Sequence, residues 1–223
     1  MERTVAARTL QRRADAYAGE VRRFLDAAYA VMRRTGGLDP RVSDIVTESG
    51  LSNQAFYRHF RGKDELLLAV LDDGQRRLVS YLEARMARAE PGAPRVRAWV
   101  EGVLEQARNP AAAENTRPFV SNTVRVADRF AAEHARSREV LVVPLRTAVI
   151  EAGGDPRDAD AIYQLAMGRM QDALVRHERP TVDEVDHLVE FALRGLTLAG
   201  AARAPASERP RAGYPGPQRG SAK

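Results

Sequence analysis

RVSDIVTESGLSNQAFYRHF, residues 41–60, divides into two short segments around a glycine. Val42, Ile45 and Val46 fall on one face at three- and four-residue spacing, which predicts a short amphipathic helix over 41–48. Gly50 accepts the positive backbone angle of a tight turn, and Leu51 fills the angle between the two segments. Ser52 suits an N-cap, since its hydroxyl oxygen can accept an otherwise free amide of the next turn. In the following helix, over 52–59, Ala55, Phe56 and Phe60 turn inward, and Ala55 is small enough to let the helices approach closely. The opposite face carries Asn53, Gln54, Tyr57 and Arg58.

That outward face has the chemistry of a helix lying in the major groove of DNA. Asn and Gln pair bidentately with adenine, and Arg with guanine. Tyr57, His59 and Lys63 can reach phosphate oxygens, as can backbone amides at helix N-termini. On the residues alone, an ordinary helical hairpin with a polar outer face also fits.

Around this unit the chain reads as helix throughout. Val21, Phe24, Leu25, Ala28 and Met32 predict a long helix over about 15–34, ended by Gly36-Gly37. Another helix begins at Lys63, with Asp64 and Glu65 favourably placed in its first turn. Pro91-Gly92-Ala93-Pro94 is the clearest internal break. Beyond it, helices are expected over about 94–108, 111–130, 132–152, 156–178 and 182–199, with Pro144 kinking or splitting the third. Thr181-Val182-Asp183-Glu184 has the form of a capping box. No segment alternates as a strand does, so the fold class is all-α.

Composition sets the outer limits. The net charge of +5 over 223 residues is unevenly spread. Residues 1–63 carry twelve Lys/Arg against seven Asp/Glu (+5), residues 64–200 eighteen against twenty-two (−4), and residues 201–223 five against one (+4). A basic head on a mildly acidic body fits a polyanionic partner. There are no cysteines, which excludes disulfides, thiolate metal sites and a cysteine nucleophile. The four histidines form no HExxH pair, and no GxSxG elbow, P-loop or GxGxxG turn occurs. No catalytic site, metal site or cofactor is therefore expected. No apolar run approaches the ~20 residues of a membrane span, and residues 1–13 lack the apolar core of a secretory signal. A cytoplasmic protein without membrane attachment is the simplest reading.

SDIVTESGLSNQAFYRHFRGKDELLLAVLDD, residues 43–73, strongly resembles the DNA-binding segment of the TetR family of regulators. Ile45, Gly50, Ser52, Tyr57, His59, Phe60, Lys63, Glu65 and Leu66 carry the resemblance, which covers about residues 14–75. It implies an N-terminal three-helix helix-turn-helix domain joined to a larger helical ligand-binding and dimerisation domain. The expected organisation is a basic N-terminal arm (1–13), the DNA-binding domain (14–75), a helical effector-binding and dimerisation domain (76–200) and a disordered basic tail (201–223). The chain departs from the family pattern at Gln54, where glycine is frequent, and at Arg41, where Ser or Thr commonly opens the second helix.

The resemblance implies a ligand-released repressor that binds a palindromic double-stranded operator as a homodimer. An activator of the same fold and a helical enzyme or carrier that retains the head are the rival readings. The expected DNA-facing set is Arg41, Ser43, Ser52, Asn53, Gln54, Tyr57, Arg58, His59 and Lys63. A small-molecule effector is expected among the helices from 94 to 178, against Trp99, Phe119, Asn122, Arg125, Phe130, Tyr163 and Met167, with His134 and His177 as further polar candidates. Dimer contacts are expected from Ile162, Leu165, Ala166, Met170 and Ala173 on one late helix, and from Leu188, Val189, Ala192, Leu193 and Leu196 on the last.

Overall fold

The computed structural model describes residues 2–37, 39–120 and 131–202. Among these the chain forms nine helices: α1 (Glu2–Thr35), α2 (Val42–Ser49), α3 (Asn53–His59), α4 (Lys63–Met86), α5 (Ala93–Arg108), α6 (Pro110–Val120), α7 (Ala131–Glu151), α8 (Asp158–Val175) and α9 (Val182–Ala202). The expected Asn122, Arg125 and Phe130, and the tail from residue 203, lie outside the described residues, as does the side chain of His134.

α1 starts at Glu2 rather than near Asp15, so the expected arm is helical over its described residues. The segment before Asp15 has no apolar stripe, but its Ala, Arg, Glu and Gln residues are good helix formers. Gly36 closes α1 with φ 69°, its amide donating to the Met32 carbonyl at 2.8 Å. α7 runs through Pro144 without a break, whereas a kink or split was expected. One missing amide is tolerated there because Val142 and Leu145 on either side are fully buried in the body.

The local stop and start signals act as their chemistry dictates. Asn109 Oδ1 accepts from the amides of Ala111 and Ala112 at 3.0 and 3.2 Å, opening α6 at Pro110. Thr181 Oγ1 accepts from Glu184 N at 3.2 Å while Glu184 Oε2 accepts from Thr181 N at 2.7 Å, completing the capping box of α9.

Two cores result. In the head, Phe24 of α1 meets Phe56 and Phe60 edge-on at 5.5 and 5.9 Å, and Met32, Ile45, Leu66 and Val70 are fully buried around them. In the body, α5 is the central helix, packed by α4, α6, α7, α8 and α9. Gly102 is where α4 crosses α5: a Cβ there would come within 2.6 Å of Leu82 and 3.2 Å of Arg85. Leu66, Leu67 and Val70 of α4 belong to the head core, and Leu82 and Met86 to the body core.

Phe56→Ala removes the aromatic at the centre of the head. It is expected to cost about 3–5 kcal/mol of unfolding free energy in urea, and a loss below about 1 kcal/mol would mean that this ring does not hold the head together.

Candidate nucleic-acid interface and internal cavity

The turn between α2 and α3 has the geometry its residues require. Gly50 adopts φ 63° and ψ 22°, and the Arg23 guanidinium reaches beneath it to the Ser49 carbonyl at 2.6 Å. Ser52, extended at φ −88°, accepts from Ala55 N at 3.1 Å as the N-cap of α3. With Ala55 and Phe56 buried, Asn53, Gln54, Tyr57 and Arg58 stand outward. Tyr57 is 62% exposed although its ring sits edge-on to Phe56 at 5.3 Å, so the phenol is held firmly while its face meets solvent. Arg41 precedes α2 as an extended, exposed residue, with exposed Ser43 two residues on.

Three basic residues of this face, Arg58, His59 and Lys63, are engaged. Glu20 of α1 receives Arg58 and, at 2.6 Å, His59 Nε2. Lys63, the first residue of α4, pairs with Asp39. His59 was expected at phosphate and is a correction. Its side chain is fully buried, edge-on to Tyr17 at 4.2 Å, so it ties α3 to α1 and presents no ring to a ligand. Glu20 has no signal in the sequence, because its partners lie 38 and 39 residues away.

A cavity of about 570 Å³ opens between α4, α5, α6, α7 and α8, touching α1 at Tyr29. Of the expected effector-facing residues, Phe119, Tyr163 and Met167 line it, whereas Trp99 does not. The Trp99 ring is completely buried and its indole N–H donates to the Leu141 carbonyl at 3.2 Å, so it is a core residue of α5. His177 is exposed beyond α8, away from this cavity. The lining that sequence reasoning missed includes Tyr29, Arg77, Tyr81, Arg138 and Gln171. Arg77 and Tyr29 also belong to the junction of α1 and α4, where buried Asp73 receives Arg22 at 3.2 Å and Arg77 at 2.8 Å. The Tyr29 hydroxyl donates to the Val70 carbonyl at 3.1 Å, and burial, with the Asp73 charge beside it, raises its pKa well above the usual phenol value. Among the described residues no cluster of His, Asp or Glu is arranged to hold a metal ion, and no helix is long and apolar enough to cross a membrane.

Residues 24–70 match the model of the family described as bacterial regulatory proteins, tetR family. Over 77 residues the chain is 35% identical to the HTH-type transcriptional regulator BetI of Brucella anthropi, a match covering 34% of this chain and 40% of that regulator's length. A transcriptional regulator from Rhodococcus sp. RHA1 has a similar structure, with TM-score 0.64 at 20% identity over 80% of this chain and 96% of that one. A TetR-family transcriptional regulator from Streptomyces coelicolor superposes with TM-score 0.62 at 22% identity, over 85% and 94% of the two chains. RolR, crystallised with resorcinol, gives TM-score 0.55 at 15% identity over 88% and 97%.

Hydrogen bonds from His59 and Arg58, in that order of strength, hold the Glu20 carboxyl below its usual pKa. A depressed carboxylate contributes stability above its unfolded pKa and loses it as pH falls through the folded value. Wild type is therefore expected to be more stable than Glu20→Gln at neutral pH, with the gap closing below about pH 4.5. Urea midpoints measured across pH check this, and a gap independent of pH would remove Glu20 from that role.

Proposed function

We propose, for a chain whose residues 24–70 match the model of the tetR family of bacterial regulatory proteins, a transcriptional regulator that binds a palindromic operator as a homodimer and leaves it when a small molecule enters the body. The carrying observation is the outward face of α3: Asn53, Gln54 and Tyr57 stand exposed on a helix whose other face is locked into the head by Ala55 and Phe56. A short rigid helix of that kind fits the major groove, where Asn53, Gln54 and Arg58 meet base edges. Arg41, Ser43, Ser52, Tyr57 and Lys63 serve phosphates; Lys63 exchanges Asp39 for a phosphate, and Arg58 exchanges Glu20 for a base edge.

Two heads reading successive major grooves require two copies. Phe191, 64% exposed on α9, and Leu165, 36% exposed on α8, support a partner against the last two helices. Most of the expected dimer stripe does not: Ile162, Ala166, Met170, Ala173, Val189, Ala192 and Leu196 are buried within the chain's own body. The copy would be met by the other face of each helix.

The cavity supports the effector role, because Leu71, Gly74, Gln75, Leu78 and Tyr81 of α4 form one wall of it and the same helix begins at Lys63 in the head. A ligand that favours one tilt of α4 favours one spacing of the two heads, and repression is lost when that spacing no longer fits the operator.

On an operator selected from random DNA by the purified full-length protein, Tyr57→Ala is expected to weaken binding by at least about ten-fold in a gel shift, with its thermal melt unchanged. Lys63→Ala is expected to lower the slope of log affinity against log salt by about one. Unaltered binding by Tyr57→Ala would overturn the DNA-reading role of α3. Phe191→Glu is expected to sediment as a monomer, and a dimer of unchanged stability would overturn the proposed interface.

A further inference from the structure

The chemical class of the cavity's occupant can be read from which of its polar groups are already engaged; this deepens the effector reading above and rests on it. Among the described residues, three charged side chains face the space. Arg77 lies 2.8 Å from Asp73, with its guanidinium over the Tyr29 ring at 5.3 Å. Arg138 donates to Asp160 at 2.6 Å and lies over the Tyr163 ring at 5.2 Å. Glu105 pairs with Arg108 at 3.6 Å. Each of these charges is already balanced by an opposite one, so an anion entering the space meets no unanswered cation and a cation meets no unanswered carboxylate.

The neutral groups differ. Among the described residues, Thr116, Gln171 and the Tyr163 hydroxyl make no hydrogen bond within the protein. Tyr163 is only 7% exposed, and burial raises its pKa, so its hydroxyl stays protonated and able to donate at neutral pH. A hydroxyl so placed recovers its hydrogen bond only from something inside the cavity. The surrounding surface combines aliphatic side chains, Leu71, Leu78, Val120 and Leu141, with an aromatic and thioether side on which Tyr29 meets Phe119 edge-on at 5.9 Å and Met167 and Met170 face the same space. That side favours the faces and edges of flat rings over aliphatic chains of equal volume.

We infer that the cavity binds an uncharged aromatic molecule bearing a hydroxyl or carbonyl group, held by ring contacts with Phe119, Met167 and Met170 and by hydrogen bonds to Tyr163 and Gln171. A carboxylate of the same shape is rejected, because the arginines lining the cavity are already neutralised. The volume of about 570 Å³ admits more than one fused ring.

Calorimetric titration of the full-length protein at pH 7 with 2-naphthol, 2-naphthoate and decahydro-2-naphthol tests each element. The expected order is 2-naphthol first, the saturated alcohol several-fold weaker, and the carboxylate at least about ten-fold weaker than 2-naphthol. Tyr163→Phe and Gln171→Leu are each expected to weaken 2-naphthol by about five-fold, the loss of one neutral hydrogen bond, with thermal melts near wild type. Tighter or equal binding of 2-naphthoate overturns the neutral class, and equal binding of the saturated alcohol overturns the aromatic one. Absence of binding by all three, or indifference to both variants, overturns the assignment to this cavity. Displacement of DNA is read separately by gel shift. If 2-naphthol binds as expected and the loaded protein keeps its operator, the effector reading fails and the ligand class stands.

Discussion

One helix belongs to two hydrophobic cores, and the rest of the structure is arranged around that constraint. The first two turns of α4 are buried with α1, α2 and α3, and its last turns with α5. Between them stands Asp73, almost wholly removed from solvent and flanked by Arg22 of α1 and Arg77 of its own helix. A buried carboxylate is tolerable only while its cations stay in place, since removing either leaves a desolvated charge. The cluster therefore fixes the register of α1 on α4 more strictly than apolar contact, which tolerates sliding. Head and body cannot turn independently about this point. Motion of the lower part of α4 must be carried to the helix-turn-helix or resisted by it.

The proposed interface toward DNA is built on a similar economy of charge. Glu20 and Asp39 hold Arg58 and Lys63 in ion pairs. The side chains are thereby ordered before any polyanion arrives, which lowers the entropy lost on binding. The same carboxylates compete with phosphate, so attraction to arbitrary DNA is weaker than the basic residues alone would suggest. On the proposed reading, discrimination then falls more heavily on Asn53 and Gln54, which carry no charge and stand exposed.

How much was legible in the sequence followed from how local each determinant is. Gly50, Ser52, Ala55, Phe56 and Phe60 act within ten residues of one another, and the turn, the cap and the inward face were readable from spacing. The capping box of Thr181 and Glu184 was readable for the same reason. His59 was misplaced because its orientation depends on Glu20, far away in sequence and invisible to periodicity. Trp99 was misplaced because a large aromatic on an amphipathic helix fits a ligand wall and a core equally well. Only the Leu141 carbonyl, 42 residues on, decides between them by accepting the indole N–H. The cavity assembles residues from six helices, so Tyr29, Arg138 and Gln171 carried no shared signal. Phe119, Tyr163 and Met167 were found, but as separate residues rather than as one surface.

The placement of the cavity limits how a ligand could act. A two-state equilibrium moves only by the difference in affinity between the states. Contacts confined to α8, through Tyr163, Met167 and Gln171, would bind without preference if α8 kept its place in both states. Differential affinity must come from the walls that move relative to that floor: α4 with Leu71, Leu78 and Tyr81, and α1 through Tyr29. Arg77 stands at the meeting point, since it lines the cavity, covers the Tyr29 ring and completes the charge balance of Asp73. An occupant that presses on Arg77 alters the one electrostatic arrangement that registers α1 on α4, and α1 packs directly against the helix-turn-helix. The route from cavity to α3 is short because the same helix pair forms the wall of one and the floor of the other.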